Sequence, residues 1–372
     1  MGSGAAASQP NLWIFRGIVR RIWSDAVAVD LRTVKMSPLS ANLGPWVCAS
    51  IPLDDLPPVF IESKAGALDT IDDVAAWVTE QRPELDRLII EHGAIVLRGF
   101  AVRTSADFAT IVACFPAYEG NYKGGAAARR PLDKGVYEAT QRTGEQTIQI
   151  HQEMFYVRDY PPRLAFFARK VAEKGGETII ADMRKVSANI PEKLRERFAS
   201  SGILTVRNFA PPTGSMVETE LMDRRGWDFA FYTDSREEVN EVCAKRGMEP
   251  HWHDDNSLTV YSRLPAFVRH PVTGEMIYRS AIHTNPDQRA TREKSESAIK
   301  LRASQKIPSD ILLGNGEALN DEEETAMLRV VDNATIAWQW ETGDLMIVDN
   351  LQIGHGRNPF VGERATDVAM MN

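Results

Sequence analysis

Cysteine is scarce: Cys48, Cys114 and Cys243 are the three in 372 residues, they lie far apart, and no CxxC pair occurs. That excludes a disulfide framework and a thiolate metal site, and leaves free thiols in a reducing compartment. No stretch of about 18 consecutive apolar residues is present, so no membrane-spanning helix is expected. The net charge is -8 and no lysine or arginine block is long enough to track a phosphate backbone, so nucleic acid is not an expected partner. Internal repeats and low-complexity tracts are absent.

What is there suits a folded chain. Hydrophobic residues make up 43% and charged residues 25% of the sequence, a balance that buries a core and argues against disorder. Length alone suggests two domains, but sandwiches and barrels often run past about 250 residues as one unit, and residues 36–372 read as a single domain. Residues 1–35 read as a flexible leader or arm. Within them, Asn11 to Trp23 carries Arg16, Arg20 and Arg21 among apolar neighbours, with no acid before Asp25, the pattern of an organelle-targeting helix as well as of an ordinary arm. The cytoplasm is the expected compartment, with a mitochondrial address through residues 11–23 as the alternative.

Residues 72–92 open with acids and repeat apolar residues at helical spacing, with Pro83 interrupting, which predicts two helical pieces. The run AIVLRGF from Ala94 is apolar, rich in β-formers and closed by Gly99, a buried strand followed by a helix over 105–114. Residues 117–146 are glycine-rich and basic with no period of either kind, and read as a long loop of the sort that forms lids. Strands are expected at 147–151, 164–169 and 178–181, with a helix from near Pro191. Residues 210–320 mix helices (236–246, 290–303) with short strands (258–262, 276–278). The β signal then returns at 345–348 and 364–370, so we read 210–320 as an insertion into a sheet. The pattern is that of a mixed α/β, mainly β chain with a large insertion.

Seven histidines limit the metal-site options. In His151-Gln152-Glu153, a strand would place the imidazole and the carboxylate on one face, because side chains at i and i+2 point the same way. An imidazole from a later strand, His355, completes a 2-His-1-carboxylate set, which fills three octahedral positions and leaves three open for a bidentate 2-oxo acid and dioxygen. Taken alone, His-x-Glu fits a metal-free surface strand equally well. The second constellation, His251-Trp252-His253-Asp254-Asp255, could feed zinc, although nothing nearby supplies a further ligand at zinc-site spacing. His92, His270 and His283 stand alone and read as structural or solvent-facing.

Around His355 the chain reads ETGDLMIVDN (341–350) and then LQIGHGRNPFVGER (351–364). This string resembles the C-terminal signature of the TauD/TfdA family of iron(II)- and 2-oxoglutarate-dependent oxygenases. IHQEMFY (150–156), PPRLAFFARK (161–170) and GGETIIADMRKV (175–186) resemble the family's first ligand region and its GGET block. HGAIVLRGF near 92, VRNF near 206 and HPVTGE near 270 are smaller echoes, and the H-x-E-x-x-Y form is similar to the subgroup named for syringomycin biosynthesis. The resemblance covers roughly residues 85–372. It implies a double-stranded β-helix, or jelly roll, with helices packed outside, and Fe(II) held by His151, Glu153 and His355. It also implies 2-oxoglutarate held by Arg364 with help from the Thr178 hydroxyl, O2 as second co-substrate, and secondary metabolism as the setting. A guanidinium is the right partner for the distal carboxylate.

Taurine-specific members carry a further arginine four residues after the co-substrate arginine, where this chain has Val368, so taurine is disfavoured. Halogenating members lack the carboxylate ligand, whereas Glu153 is kept, so hydroxylation or a related oxidation is expected. The loop before the ligand strand carries Asn121, Tyr122, Lys123, Arg129 and Arg130. It suits an anionic small molecule, such as an amino acid, free or tethered to a carrier protein, although loop charges are also commonly just solvated. Two rival readings are a catalytically inactive binding protein on the same fold and a zinc hydrolase using His251 and His253.

Overall fold

A computed structural model describes residues 34–52, 56–120, 123–124, 131–133, 136–138, 144–212, 226–285 and 308–372. Residues 1–33 of the expected leader 1–35, loop residues Asn121, Tyr122, Arg129 and Arg130, and the expected helix at 290–303 lie outside these.

The architecture is mixed α/β and mainly β. One sheet has nine strands, whose centre runs Val59–Ser63, Ala94–Arg98, Leu345–Asp349, Arg163–Lys170, Ala365–Met371 in neighbour order. A second sheet of four strands runs Thr335–Trp338, Thr178–Asp182, Ile353–Arg357, Ile148–His151. A third runs Met248–Trp252, Leu258–Leu264, Ile203–Phe209, Ser309–Leu313.

The central strands of the large sheet are apolar over most of their length because both of their faces are covered. Strand side chains alternate between faces. Accordingly Leu164, Phe166 and Ala168 join Ala94, Val96, Met346, Val348, Val368 and Met370 in one core, where they meet Ile180, Trp338 and Ile353 from the four-stranded sheet. Their neighbours Ala165, Phe167, Ile95, Leu97, Leu345, Ile347, Ala369 and Met371 face the other way, onto Trp77, Leu85, Leu88, Ile89 and Phe108 of two helices. This explains why AIVLR and LMIVD read as continuous apolar runs rather than as alternating ones.

The first of those helices, Ile71–His92, corrects the expectation of two pieces: it is continuous through Pro83. Thr70 caps it by accepting from Asp73 N, and Gly93 ends it at φ 85°. Proline removes one backbone bond, but Trp77 and Val78 before it and Leu85, Leu88 and Ile89 after it enter the same core, so packing carries the helix across. The loop expected over 117–146 also changes. Pro131–Asp133 and Val136–Glu138 form short strands on the large sheet's edge, Tyr137 lying opposite Val368. Three-residue strands show no readable period, and it is pairing that defines them.

The helix Arg236–Arg246 and the strand Met276–Tyr278 fall where the sequence places them. The sheet of this middle region is centred on Ile203–Phe209, which precedes residue 210 and pairs with both Leu258–Leu264 and Ser309–Leu313.

Candidate metal centre

Ile353–Arg357 lies between Thr178–Asp182, with Ile180 opposite His355, and Ile148–His151, with His151 opposite His355. Two glycines make this approach possible. A Cβ at Gly354 would meet Ile150 Cγ2 at 2.7 Å, and one at Gly356 would meet the Ile148 carbonyl oxygen at 2.4 Å, so only glycine on either side of His355 lets the strands close this far. The ring centroids of His151 and His355 are 4.5 Å apart, and Phe166 packs on His355 at 4.9 Å.

Glu153 joins them by a different route from the one expected. The strand ends at His151, and Gln152 and Glu153 stand in the turn that follows, where Met154 adopts φ 55°. Strand alternation therefore does not aim the carboxylate; a hydrogen-bonded clasp does. Asn350 accepts from Glu153 N through Oδ1 at 2.8 Å and donates Nδ2 to the carbonyls of Glu153 (3.0 Å) and Pro161 (2.8 Å). Gln152, fully buried, donates to the carbonyls of Leu351 and Tyr278. Arg279 donates to the carbonyls of Met154 and Val157, each at 2.9 Å, and lies 3.7 Å over the Tyr160 ring. Burial pushes the Arg279 guanidinium down to about 10.

The result is a convergent set: one donor atom each from His151, Glu153 and His355, all within 4.8 Å of one another. His151 Nδ1 lies 2.8 Å from the Gln149 carbonyl. A carbonyl only accepts, so Nδ1 carries the proton and Nε2 presents a lone pair. Two imidazoles and one buried carboxylate match the facial donor set suited to iron(II). Among the described residues no other group of three or more His, Cys, Asp or Glu converges in this way. The ring centroids of His251 and His253 lie 4.8 Å apart, but among the described residues no third ligand joins them; His253 Nε2 bonds Thr259 Oγ1, and Asp255 accepts from Ser257.

Thr178 and Arg364 meet beside the neighbouring strand. Arg364 donates Nε to the Gly176 carbonyl at 3.1 Å, with Nη2 at 3.4 Å from Thr178 Oγ1, in a small cleft also lined by Lys170, Glu177, Trp340 and Thr366. Burial pushes the guanidinium down to about 10, with repulsion from Arg357 adding to this and Glu177 opposing it. Of the loop cations, Lys123 is described: its carbonyl accepts from Arg246 and its ammonium lies 3.9 Å from Glu238.

Sequence reasoning missed Asn350, Gln152 and Arg279. The available signal was the Asp349-Asn350 pair that closes an apolar strand. His270 is buried against Asp349 at 2.9 Å, and Asp349 in turn accepts from the backbone of Leu351 and Gln352. His283 is buried on the Ile150 carbonyl. Both are structural.

The family model of the taurine catabolism dioxygenase TauD, TfdA family matches residues 61–371. The dapdiamide synthesis protein DdaC of Enterobacter agglomerans is 29% identical over 288 residues, 77% of this chain and 84% of that protein. A clavaminate synthase-like protein of Arabidopsis thaliana is 28% identical over 76% of this chain and 82% of its own. Among solved structures, PvcB, an iron, alpha-ketoglutarate dependent oxygenase from an isonitrile synthetic pathway, superposes with TM-score 0.47 at 15% identity, covering 91% of this chain and 92% of that one. No described helix is long and apolar enough to cross a membrane. Because the match runs from the third strand of the large sheet to the last and spans both histidines and the glutamate between them, the chain belongs to the TauD/TfdA family and is an iron(II)- and 2-oxoglutarate-dependent dioxygenase.

Proposed function

We propose that this enzyme hydroxylates, or otherwise oxidises, an unactivated C–H bond of a small carboxylate-bearing substrate such as an amino acid, free or tethered to a carrier protein. The observation that carries the proposal is the convergence of His151, Glu153 and His355 within 4.8 Å, with His355 on the strand next to the one that bears Thr178. In this reading those three side chains hold iron(II), and Arg364 with Thr178 holds the distal carboxylate of 2-oxoglutarate. The two facing sheets form the halves of a jelly roll, with residues 36–372 acting as one domain.

Bound iron with 2-oxoglutarate and O2 supplies the oxidising power for C–H cleavage, with succinate and carbon dioxide released. The protein's part is placement. His151, fixed as the Nδ1–H tautomer by Gln149, offers Nε2 without a proton to shed. Asn350 holds the backbone of Glu153 from both sides, which limits the carboxylate's sweep and preorganises the site. Phe166 packs against the His355 ring and steadies its orientation. The Arg364 guanidinium, with the Thr178 hydroxyl beside it, would supply the charge and N–H donors that hold the distal carboxylate.

The cations Lys123, Arg129 and Arg130, with Asn121 and Tyr122, support an anionic substrate. A valine at 368, buried in the core, offers no grip on a sulfonate, so taurine is not the substrate we propose. The relative named for dapdiamide synthesis accords with a role in secondary metabolism.

The test is an anaerobic titration of the protein with iron(II) and 2-oxoglutarate, followed in the visible charge-transfer band. A screen of small carboxylates for coupled succinate release comes next. Band and coupled release together support the reading. Band without any coupled product across free and carrier-bound acids removes the substrate class, and no band at all leaves a binding protein on this fold. Unchanged substrate affinity in Arg130→Ala removes the loop's role.

A further inference from the structure

One buried charge has no part in the chemistry above. Arg207, on Ile203–Phe209, is 4% exposed. Its Nη1 donates to the carbonyl of Gly124, its Nη2 lies 3.1 Å from Met248 Sδ, and its Nε has no partner. The groups that act on its charge are Tyr156, Cys243 and a second cation, Arg246; no carboxylate pairs with it among the described residues. Arg246, itself buried, donates to the next carbonyl along, that of Lys123, at 2.7 Å. Arg207 and Arg246 thus donate to the main-chain oxygens of two consecutive residues.

A buried guanidinium without an anion is costly, and main-chain carbonyls offset only part of that cost. Its position gives the cost a use. The Arg207 guanidinium lies 4.2 Å over the ring of Tyr156, and Tyr156 belongs to the turn that carries Glu153. One aromatic ring thus separates the uncompensated charge from the segment bearing the metal centre's carboxylate.

We infer that Arg207 anchors the acidic group of the substrate: a carboxylate takes the place of the Gly124 carbonyl on the guanidinium fork, with Arg246 alongside. The inference rests on the carboxylate-bearing substrate proposed above and deepens it by naming the residue that binds it. Arg207 comes from the sheet centred on Ile203–Phe209, so substrate selection would sit there, on a different element from the strands bearing His151, His355 and Thr178.

The experiment compares Arg207→Met, which keeps much of the volume, and Arg207→Lys, which keeps the charge without the fork, with the unaltered enzyme. The readout is coupled succinate release from L-amino acids and from their primary amides, with the iron and 2-oxoglutarate absorption band as a control for an intact centre. We expect the unaltered enzyme to favour acid over amide at least 30-fold in kcat/KM. Arg207→Met should lose that preference to within about threefold, and Arg207→Lys should fall between. If Arg207→Met keeps the preference, Arg207 is not the anchor, while the carboxylate reading stands. If the unaltered enzyme does not distinguish acid from amide, the carboxylate reading itself fails. A second arm is independent of turnover: with Mn(II) and 2-oxoglutarate saturating, sodium propionate should raise the Tm of the unaltered protein over matched sodium chloride and leave that of Arg207→Met unmoved. Equal responses overturn the inference. Should Arg207→Met not fold, Arg207→Lys carries both comparisons with a smaller loss.

Discussion

His355 stands directly across from His151 in two antiparallel strands, their ring centroids 4.5 Å apart. The closeness depends on glycine at 354 and 356, where any side chain would collide with Ile150 or the Ile148 carbonyl. Replacing Glu153, His151 or His355 by alanine is therefore expected to cost more than the roughly 10- to 100-fold typical of outer positions around a metal. The check is iron content after desalting together with coupled succinate release. His251→Ala/His253→Ala should leave both unchanged.

Arg364→Met should weaken 2-oxoglutarate binding by about 10- to 150-fold, the equivalent of the roughly 1.5–3 kcal/mol of a hydrogen-bonded charge. Thr178→Val should cost about 3- to 10-fold, since a neutral hydrogen bond contributes about 1 kcal/mol. Both are read from the charge-transfer titration.

The same arginine sets a pH limit. Burial pushes Arg364 down to about 10, so the guanidinium is charged through the neutral range and loses its proton as pH rises through that value. Affinity for 2-oxoglutarate should be level from pH 7 to 9 and decline above about 10. A decline centred near 8 would remove Arg364 as the group responsible.

Asn350→Ala leaves three buried backbone groups without their partner: Glu153 N–H, the Glu153 carbonyl and the Pro161 carbonyl. Unsatisfied buried groups cost about 1–3 kcal/mol each, and outer partners of a metal site typically cost about 10- to 100-fold in affinity. We expect a lowered Tm and iron affinity reduced within that range. Asn350→Asp, isosteric but unable to donate, should fall between alanine and the native residue.

His283 gives a stability prediction. Burial pushes its pKa down to about 4, with the Ile150 carbonyl opposing and His151 adding to the shift. The unfolded imidazole titrates near 6.5, so between those values the unfolded chain binds the extra proton. The contribution of a neutral His283 is thus complete above pH 6.5 and is lost as pH falls toward 4, on the order of 3 kcal/mol at about 1.4 kcal/mol per unit. Thermal unfolding from pH 7.5 to 5 should show a shallower decline for His283→Gln than for the native protein.

How far the sequence could be read follows from which signals are local. The helix over 236–246 has its serine cap, acids in the first turn, bases in the last and Gly247 beyond, all within one stretch of chain. The strands at Ala94, Leu164 and Leu345 announce themselves through runs buried on both faces. Pro83, by contrast, carries a local signal that the core overrides. The pair of three-residue strands at 131–138 has no local signal at all.

The order of the residues by itself determined the chemistry on offer: two imidazoles, a carboxylate, a threonine and an arginine, each in a string specific enough to name the family. Tertiary structure alone decided how they meet. Glu153 lies beyond the strand that would have aimed it, and an asparagine at 350 sets its place; Arg207 is buried without an acid because of what folds over it. Hydrogen bonds and desolvation between segments far apart in the chain have no period or spacing to read, since they exist only once the sheets have closed.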